Sequence, residues 1–201
     1  MSTTTTLEEQ LALAGIKYGK RHDLSYRAGF VIQVLGMGIL AVLYPLDSPF
    51  YTIGIMLFEA GVLLAAVYLL VWMTWIRKVI LGAIVAGIAL QVAGFYAPEQ
   101  YAGSVIIAGI GLVCAGAAGL AGKEAYCFQY CEGRMLMWLY PIVIVANLVW
   151  NVSLAVNAIA FSALFILNLF LTGKKLKQPI LASCVSNACG LPHRGQRTED
   201  R

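Results

Sequence analysis

Glu59 is the first residue whose type and position suggest chemistry. It is the only acidic residue well inside a long apolar stretch, here 51–73. A charged group at mid-bilayer costs about 3 kcal/mol even on modest scales. Glu59 must therefore be neutral, paired or beside water, and an acid so placed is a candidate for proton or solute handling. Gln91 and Asn147 lie at similar depth in later apolar stretches and are its candidate partners. The competing reading is a satisfied polar knot, or a carboxylate that reaches interfacial water.

The second candidate region is Lys123-Glu124-Ala125-Tyr126-Cys127-Phe128-Gln129-Tyr130-Cys131-Glu132-Gly133-Arg134, read as a connection between apolar stretches. Glu124, Cys127 and Glu132 are its candidate positions. If the segment is helical, Cys127 and Cys131 share one face at i,i+4. Cys184, Cys189 and His193 follow in the tail, so five thiol and imidazole groups fall on one side of the membrane. Their C-x3-C and C-x4-C spacings are looser than the C-x2-C knuckles of structural zinc sites. Reduced thiols are also the ordinary state of cytoplasmic cysteine. The expectation is no metal and no cofactor. Cys114 is read as a small packing residue.

Several mechanisms are excluded by what is missing. Both histidines, His22 and His193, lie outside the apolar stretches. A bis-histidine haem within a helical bundle and an H-E-x-x-H metalloprotease therefore have no residues to use. No aspartate pair and no Ser–His pair can meet inside a membrane. No Walker or dinucleotide glycine motif follows a strand. An enzyme is thus the less favoured class, and a reaction on the Glu124/Cys127/Glu132 segment lacks a positioned acid–base partner.

The elements that must position these residues are long and greasy. The chain is 60% hydrophobic and 12% charged, where soluble domains are near half apolar and about a quarter charged. Stretches near 26–44, 51–73, 79–97, 102–122, 135–151 and 155–172 approach the roughly 20 apolar residues a spanning helix needs. In lipid every backbone polar group must be paired internally, so such runs become helices. The predicted fold is all-α: a polytopic bundle of about six spans, arranged as three sequential hairpins. Asn147, Asn151 and Asn157 interrupt the last two stretches, which are either two spans or one kinked pair that does not fully cross.

Lysine and arginine set the orientation, since loops rich in them stay in the cytoplasm. An N-in, C-in arrangement of six spans places all 14 Lys and Arg inside and leaves Asp47 and Glu99 on the outer connections. The organisation is then a cytoplasmic N-terminal segment 1–23, a membrane domain 24–173 and a basic, cysteine-bearing cytoplasmic tail 174–201. The first apolar run is read as a span and not as a cleaved leader. Basic residues at the inner ends favour anionic lipid headgroups as contacts. No soluble domain is present to bind nucleic acid.

Small residues are read as packing faces: Gly111, Ala115 and Gly119 on the fourth stretch, Ala83, Gly87 and Gly94 on the third, Gly29, Gly36 and Gly38 on the first. Together they predict a tight core around stretches one, three and four. Trp72, Trp75, Trp138, Tyr44, Tyr51, Tyr96 and Tyr101 near the predicted ends read as an interfacial belt.

The run Lys123-Glu124-Ala125-Tyr126-Cys127-Phe128, then Glu132 and an apolar stretch containing Pro141, resembles the motif region of DUF2301. This is a family of bacterial integral membrane proteins with no assigned function. Its Tyr-Arg pair at the first span is matched by Tyr26-Arg27, and the resemblance is expected to cover about 24–172. It implies a multi-pass protein of the bacterial inner membrane and singles out Glu124, Cys127 and Glu132. Cys131 and the tail cysteines stand apart from that pattern. The leading functional expectation is an accessory or assembly subunit that meets other membrane proteins or a second copy of itself. The alternative is a small solute or proton-coupled transporter using Glu59.

Overall fold

A computed structural model describes residues 19–69, 74–150 and 152–179. Six helices account for nearly all of them: α1 (Lys20–Leu43), α2 (Tyr51–Val67), α3 (Thr74–Gly94), α4 (Glu99–Phe128), α5 (Cys131–Val149) and α6 (Leu154–Lys177). Among the described residues there is no strand. Five of the helices are long and apolar enough to cross a membrane, and α2 is a shorter apolar helix. Both α5 and α6 are among the five, two separate helices each long enough to span.

The boundaries follow local chemistry. Pro98 opens α4 as its N-cap, and Ser153 opens α6 by accepting a bond from the Val156 amide. The helix α4 stops at Gln129, which takes a left-handed conformation at φ 58°. Its side-chain amide donates to the Tyr126 carbonyl, one of the orphaned acceptors of the last turn. Two connections predicted from sequence are therefore mostly helix. Residues 123–128 continue α4 and Cys131 already begins α5, so Cys127 and Cys131 sit on different helices and do not share a face. Thr74–Lys78, read as a loop, forms the first turns of α3. There Arg77 donates to the Val67 carbonyl at 2.6 Å and so caps the end of α2.

In space, α1 packs on α2 and α6, α5 packs on α4 and α6, and α2 touches α4. These five helices close a ring, and α3 lies against α4 and α2 outside it. Of the three expected hairpin pairings, each is present, but α4 also packs closely on α5. A Cβ on Gly29 would meet the Gly61 carbonyl oxygen at 2.7 Å, and one on Gly36 would meet the Gly54 oxygen at 2.6 Å. Gly29 and Gly36 thus serve α2, and Gly38 faces Phe165 of α6, where α3 and α4 were predicted. Gly87 of α3 meets the Gly109 oxygen of α4 at 2.6 Å.

The predicted 111/115/119 face is not a face of contact. Gly111 turns to Ile144 of α5, Gly119 to Ile80 of α3, and Ala115 is exposed. The face packed on α3 runs instead through Gly109, Val113 and Gly116. Trp75, Trp138, Tyr96 and Tyr101 are exposed near helix ends, as a belt requires. Tyr44 instead packs edge-on against Tyr51 and Phe161. Trp72 lies outside the described residues.

Two glycines of α3 make a controlled comparison. Gly87→Ala drives a methyl into α4 backbone, whereas Gly82 has nothing within 4 Å. Gly87→Ala should lower the thermal midpoint of the detergent-purified protein, by an overpacking cost of about 1–3 kcal/mol. Gly82→Ala should leave it unchanged; fluorescence-detected gel filtration after heating reads both.

Candidate functional site

At one end of the bundle lie the start of α1, the end of α4, the start of α5 and the end of α6. This basic end carries a buried ionic cluster. The centre is Glu124, on the last turns of α4, with 0% of its surface exposed. The helix is 30 residues long, or about 45 Å at 1.5 Å per residue. That exceeds a hydrocarbon core of roughly 30 Å, so its final turns carry charge past the apolar span. Tyr26 of α1 donates its hydroxyl to Glu124 Oε1 at 2.7 Å. Lys123 reaches the same oxygen at 2.8 Å, and Lys175 of α6 reaches Oε2 at 2.9 Å. Aromatic faces complete the shell: the Lys175 ammonium lies 4.4 Å from the Phe128 ring centroid, and that of Lys123 4.9 Å from Tyr26.

Next to Tyr26 in sequence, Arg27 forms a second tie. It pairs with Asp23 at 2.9 Å and donates to the carbonyls of Lys175 at 3.0 Å, Gln178 at 2.8 Å and Pro179 at 2.9 Å. With the Leu176 carbonyl at 3.3 Å, these acceptors span the last turn of α6, where an α-helix leaves carbonyls without helical partners, and the two residues that follow it. Arg27 is thus the C-cap of a helix that lies far ahead of it in sequence. Glu132 pairs with Lys174 at 2.6 Å on the more exposed side of the cluster. The amide of Gln178 donates to the Tyr130 phenol. Burial raises the pKa of that phenol above its ordinary value, the dominant effect, while the bond from Gln178 acts the other way.

Deeper in the ring lies a neutral polar triad from three helices. Gln33 of α1 donates to the Tyr140 phenol oxygen of α5 at 3.0 Å and to Asn168 Oδ1 of α6 at 2.9 Å. Asn168 donates to Tyr140 at 2.8 Å. All three are buried, with at most 2% of their surface exposed. Nearer the other end, Asn147 and Asn157 exchange amide bonds at 2.9 Å, and Asn157 reaches the Tyr44 hydroxyl.

The sequence candidates are therefore distributed as follows. Glu124 and Glu132 both belong to the basic end, Glu124 at its centre. Cys127 is buried beside it, and Cys131 is exposed. Gln91 donates to Glu59, as expected, and this partly buried pair joins α2 to α3 without a hydrogen bond to the triad. Asn147 does not join them; it is held by Asn157. Among the described residues no group of three His, Cys, Asp or Glu is gathered as metal ligands. Cys184, Cys189 and His193 lie outside the described residues, as does Asn151. Sequence reasoning missed Tyr26 as a ligand of Glu124, Lys175 as its counter-ion, and the whole triad. Lys175 was hidden among the tail charges. Gln33 and Asn168 carried the signal that Glu59 did, a polar group in an apolar stretch, without a formal charge to draw the eye.

The fold and the site define a polytopic helical membrane protein. The chain belongs to DUF2301, the uncharacterized integral membrane proteins, whose family model matches residues 62–185. The match begins within α2, later than the sequence suggested, so Tyr26-Arg27 stands outside the matched segment. No curated protein and no solved structure matches the chain.

Glu124→Gln leaves the buried Lys175 ammonium without its counter-ion. Removing one partner of a buried pair costs about 3–5 kcal/mol. The variant should melt well below the parent in detergent. Adding Lys175→Met in the same chain should recover part of the loss, because the more deeply buried of the two unpaired ammonium groups is then gone, leaving Lys123 at the rim.

Proposed function

We propose that this protein lets a small polar solute cross the bacterial inner membrane along the interior face shared by α1, α5 and α6, with both termini in the cytoplasm. The observation that carries this reading is the Gln33–Tyr140–Asn168 triad at the middle of the ring. Polar groups recur along this face at three heights: Tyr44, Asn147 and Asn157 at one end, the triad in the middle, and Tyr26 and Lys175, both bonded to Glu124 of α4, at the basic end. The ionic cluster closes the inner mouth in this conformation. Polar side chains within membrane helices mark substrate paths because an apolar residue would otherwise serve there at lower cost.

Helix adhesion alone accounts poorly for the triad. Interhelical hydrogen bonds in membranes average about 0.6 kcal/mol each. One unsatisfied buried acceptor costs about 1–3 kcal/mol, and the Gln33 carbonyl oxygen has no partner among the described residues. Gain and cost nearly cancel, so stability is a weak reason to place three polar groups there. The Glu59–Gln91 pair bonds to no member of the triad, so the transport reading rests on the triad and not on Glu59.

A second reading, lateral docking as an accessory or assembly subunit, draws on α3. Gly82, Ala86, Ala89 and Ala93 recur at helical spacing and are all exposed. Small residues let a neighbouring helix approach closely in lipid.

The two readings separate on the same preparation. Purified full-length protein in proteoliposomes should pass at least one of a panel of ions, protons and uncharged solutes above protein-free vesicles, and Asn168→Leu should abolish that flux while the protein remains folded. No flux of any kind, with stoichiometric co-purification of a second membrane protein that is lost in Ala86→Leu, would replace the transport reading with docking.

A further inference from the structure

Two buried polar atoms on this interior face have no hydrogen-bond partner among the described residues, Gln33 Oε1 and Thr172 Oγ1. Gln33 is 2% exposed and Thr172 4% exposed. They belong to helices that pack together, α1 and α6, and the bonds already described fix their relative height. Gln33 is level with Asn168. Thr172 follows Asn168 by one turn on the same face, about 6 Å nearer the basic end. The next turn brings Lys175, bonded to Glu124. Asn168, Thr172 and Lys175 are all buried, and Thr172 alone among them is unpartnered.

The usual local remedy is not taken. A hydroxyl inside a helix ordinarily bonds the carbonyl four residues back. Ser162 on the same helix does so, to Ala158 at 2.8 Å. Thr172 does not. Buried polar atoms are nearly always paired, and each exception calls for a cause.

We infer that Gln33 and Thr172 form a binding position for a small uncharged solute that both donates and accepts hydrogen bonds, an inference that rests on the transport reading above. The amide oxygen of Gln33 accepts only, so the solute must donate to it. The hydroxyl of Thr172 does both. The groups at this height are amides, a phenol and a hydroxyl, which are dipoles without net charge. The buried charged residues Asp23, Arg27, Glu124 and Lys175 all lie at the basic end. An ion at the height of the triad would face the full desolvation penalty with none of these buried charges beside it. At the basic end Arg27, Lys123 and Lys175 outnumber Asp23 and Glu124, which repels cations, protons included. Water, small amides such as urea, and small polyols such as glycerol have the required chemistry.

The test uses the full chain in proteoliposomes, with stopped-flow light scattering for urea and glycerol and an entrapped pH dye for protons. Urea or glycerol should enter faster than in protein-free vesicles. Thr172→Val, close in shape, should slow entry about tenfold, the factor that one lost hydrogen bond of about 1.4 kcal/mol carries. Thr172→Ser should keep the parent rate, which separates the hydroxyl's role from packing. Flux of protons or ions without urea or glycerol would overturn the inference and leave the path standing. Uncharged flux equal in parent and Thr172→Val would overturn the site alone. Flux of nothing would remove the path as well.

Discussion

A carboxylate with no exposed surface holds the basic end of this bundle together. Glu124 is reached by α1 through Tyr26 and by α6 through Lys175, while its own neighbour Lys123 shares one oxygen. Among the described residues α1 and α4 have no backbone packing against each other. What links them is this one side chain and its partners. A buried charge is tolerable only where each lone pair is met, so the positions of Tyr26, Lys123 and Lys175 are all set by the same requirement. Arg27 applies the same logic in reverse: a cation is satisfied by the free carbonyls of a helix end.

The rest of the bundle divides by the kind of contact. The α1/α2 and α3/α4 pairs are joined by glycine against backbone. Lipid competes fully for apolar contact, so close approach of backbones is what holds such pairs. Gly133 joins α5 to α4 in the same way, whereas α1, α5 and α6 are joined to one another by amides and phenols. Close-packed pairs have one best geometry. Hydrogen-bonded layers can exchange partners, with each other or with a solute, at little net cost. The proposed path therefore runs where the bundle is held by exchangeable contacts and avoids where it is held by shape.

Much of the fold was legible in the sequence, because the bilayer leaves a long apolar run so few options. The number of helices and their order follow from that rule, and so does the family, through the Lys123–Phe128 motif and Pro141. Helix ends were less legible. The end of α4 depends on Gln129 adopting a left-handed conformation, which no glycine announces, so a helix of 30 residues looked like a span plus a loop. Packing faces were misread for Gly111 and Gly119, since glycine spacing states that approach is possible and not which helix approaches. At the site, Glu124 and Glu132 stood out by their charge, and Glu59 found Gln91. The triad stayed hidden because its members come from positions 33, 140 and 168, and only the closing of the ring brings them together.

The tie between Arg27 and the last turn of α6 bears on how the chain is made. Synthesis delivers α1 first, and more than a hundred residues separate Arg27 from the carbonyls it caps. Until α6 emerges, Arg27 has only Asp23 beside it, Glu124 has no Lys175, and Gln33 has no Asn168. Domains assemble in the order in which the ribosome releases them, yet here α1 is completed by α6. A truncated copy would keep its charges uncompensated at the membrane surface. The molecule thus carries its own check that translation has passed α6.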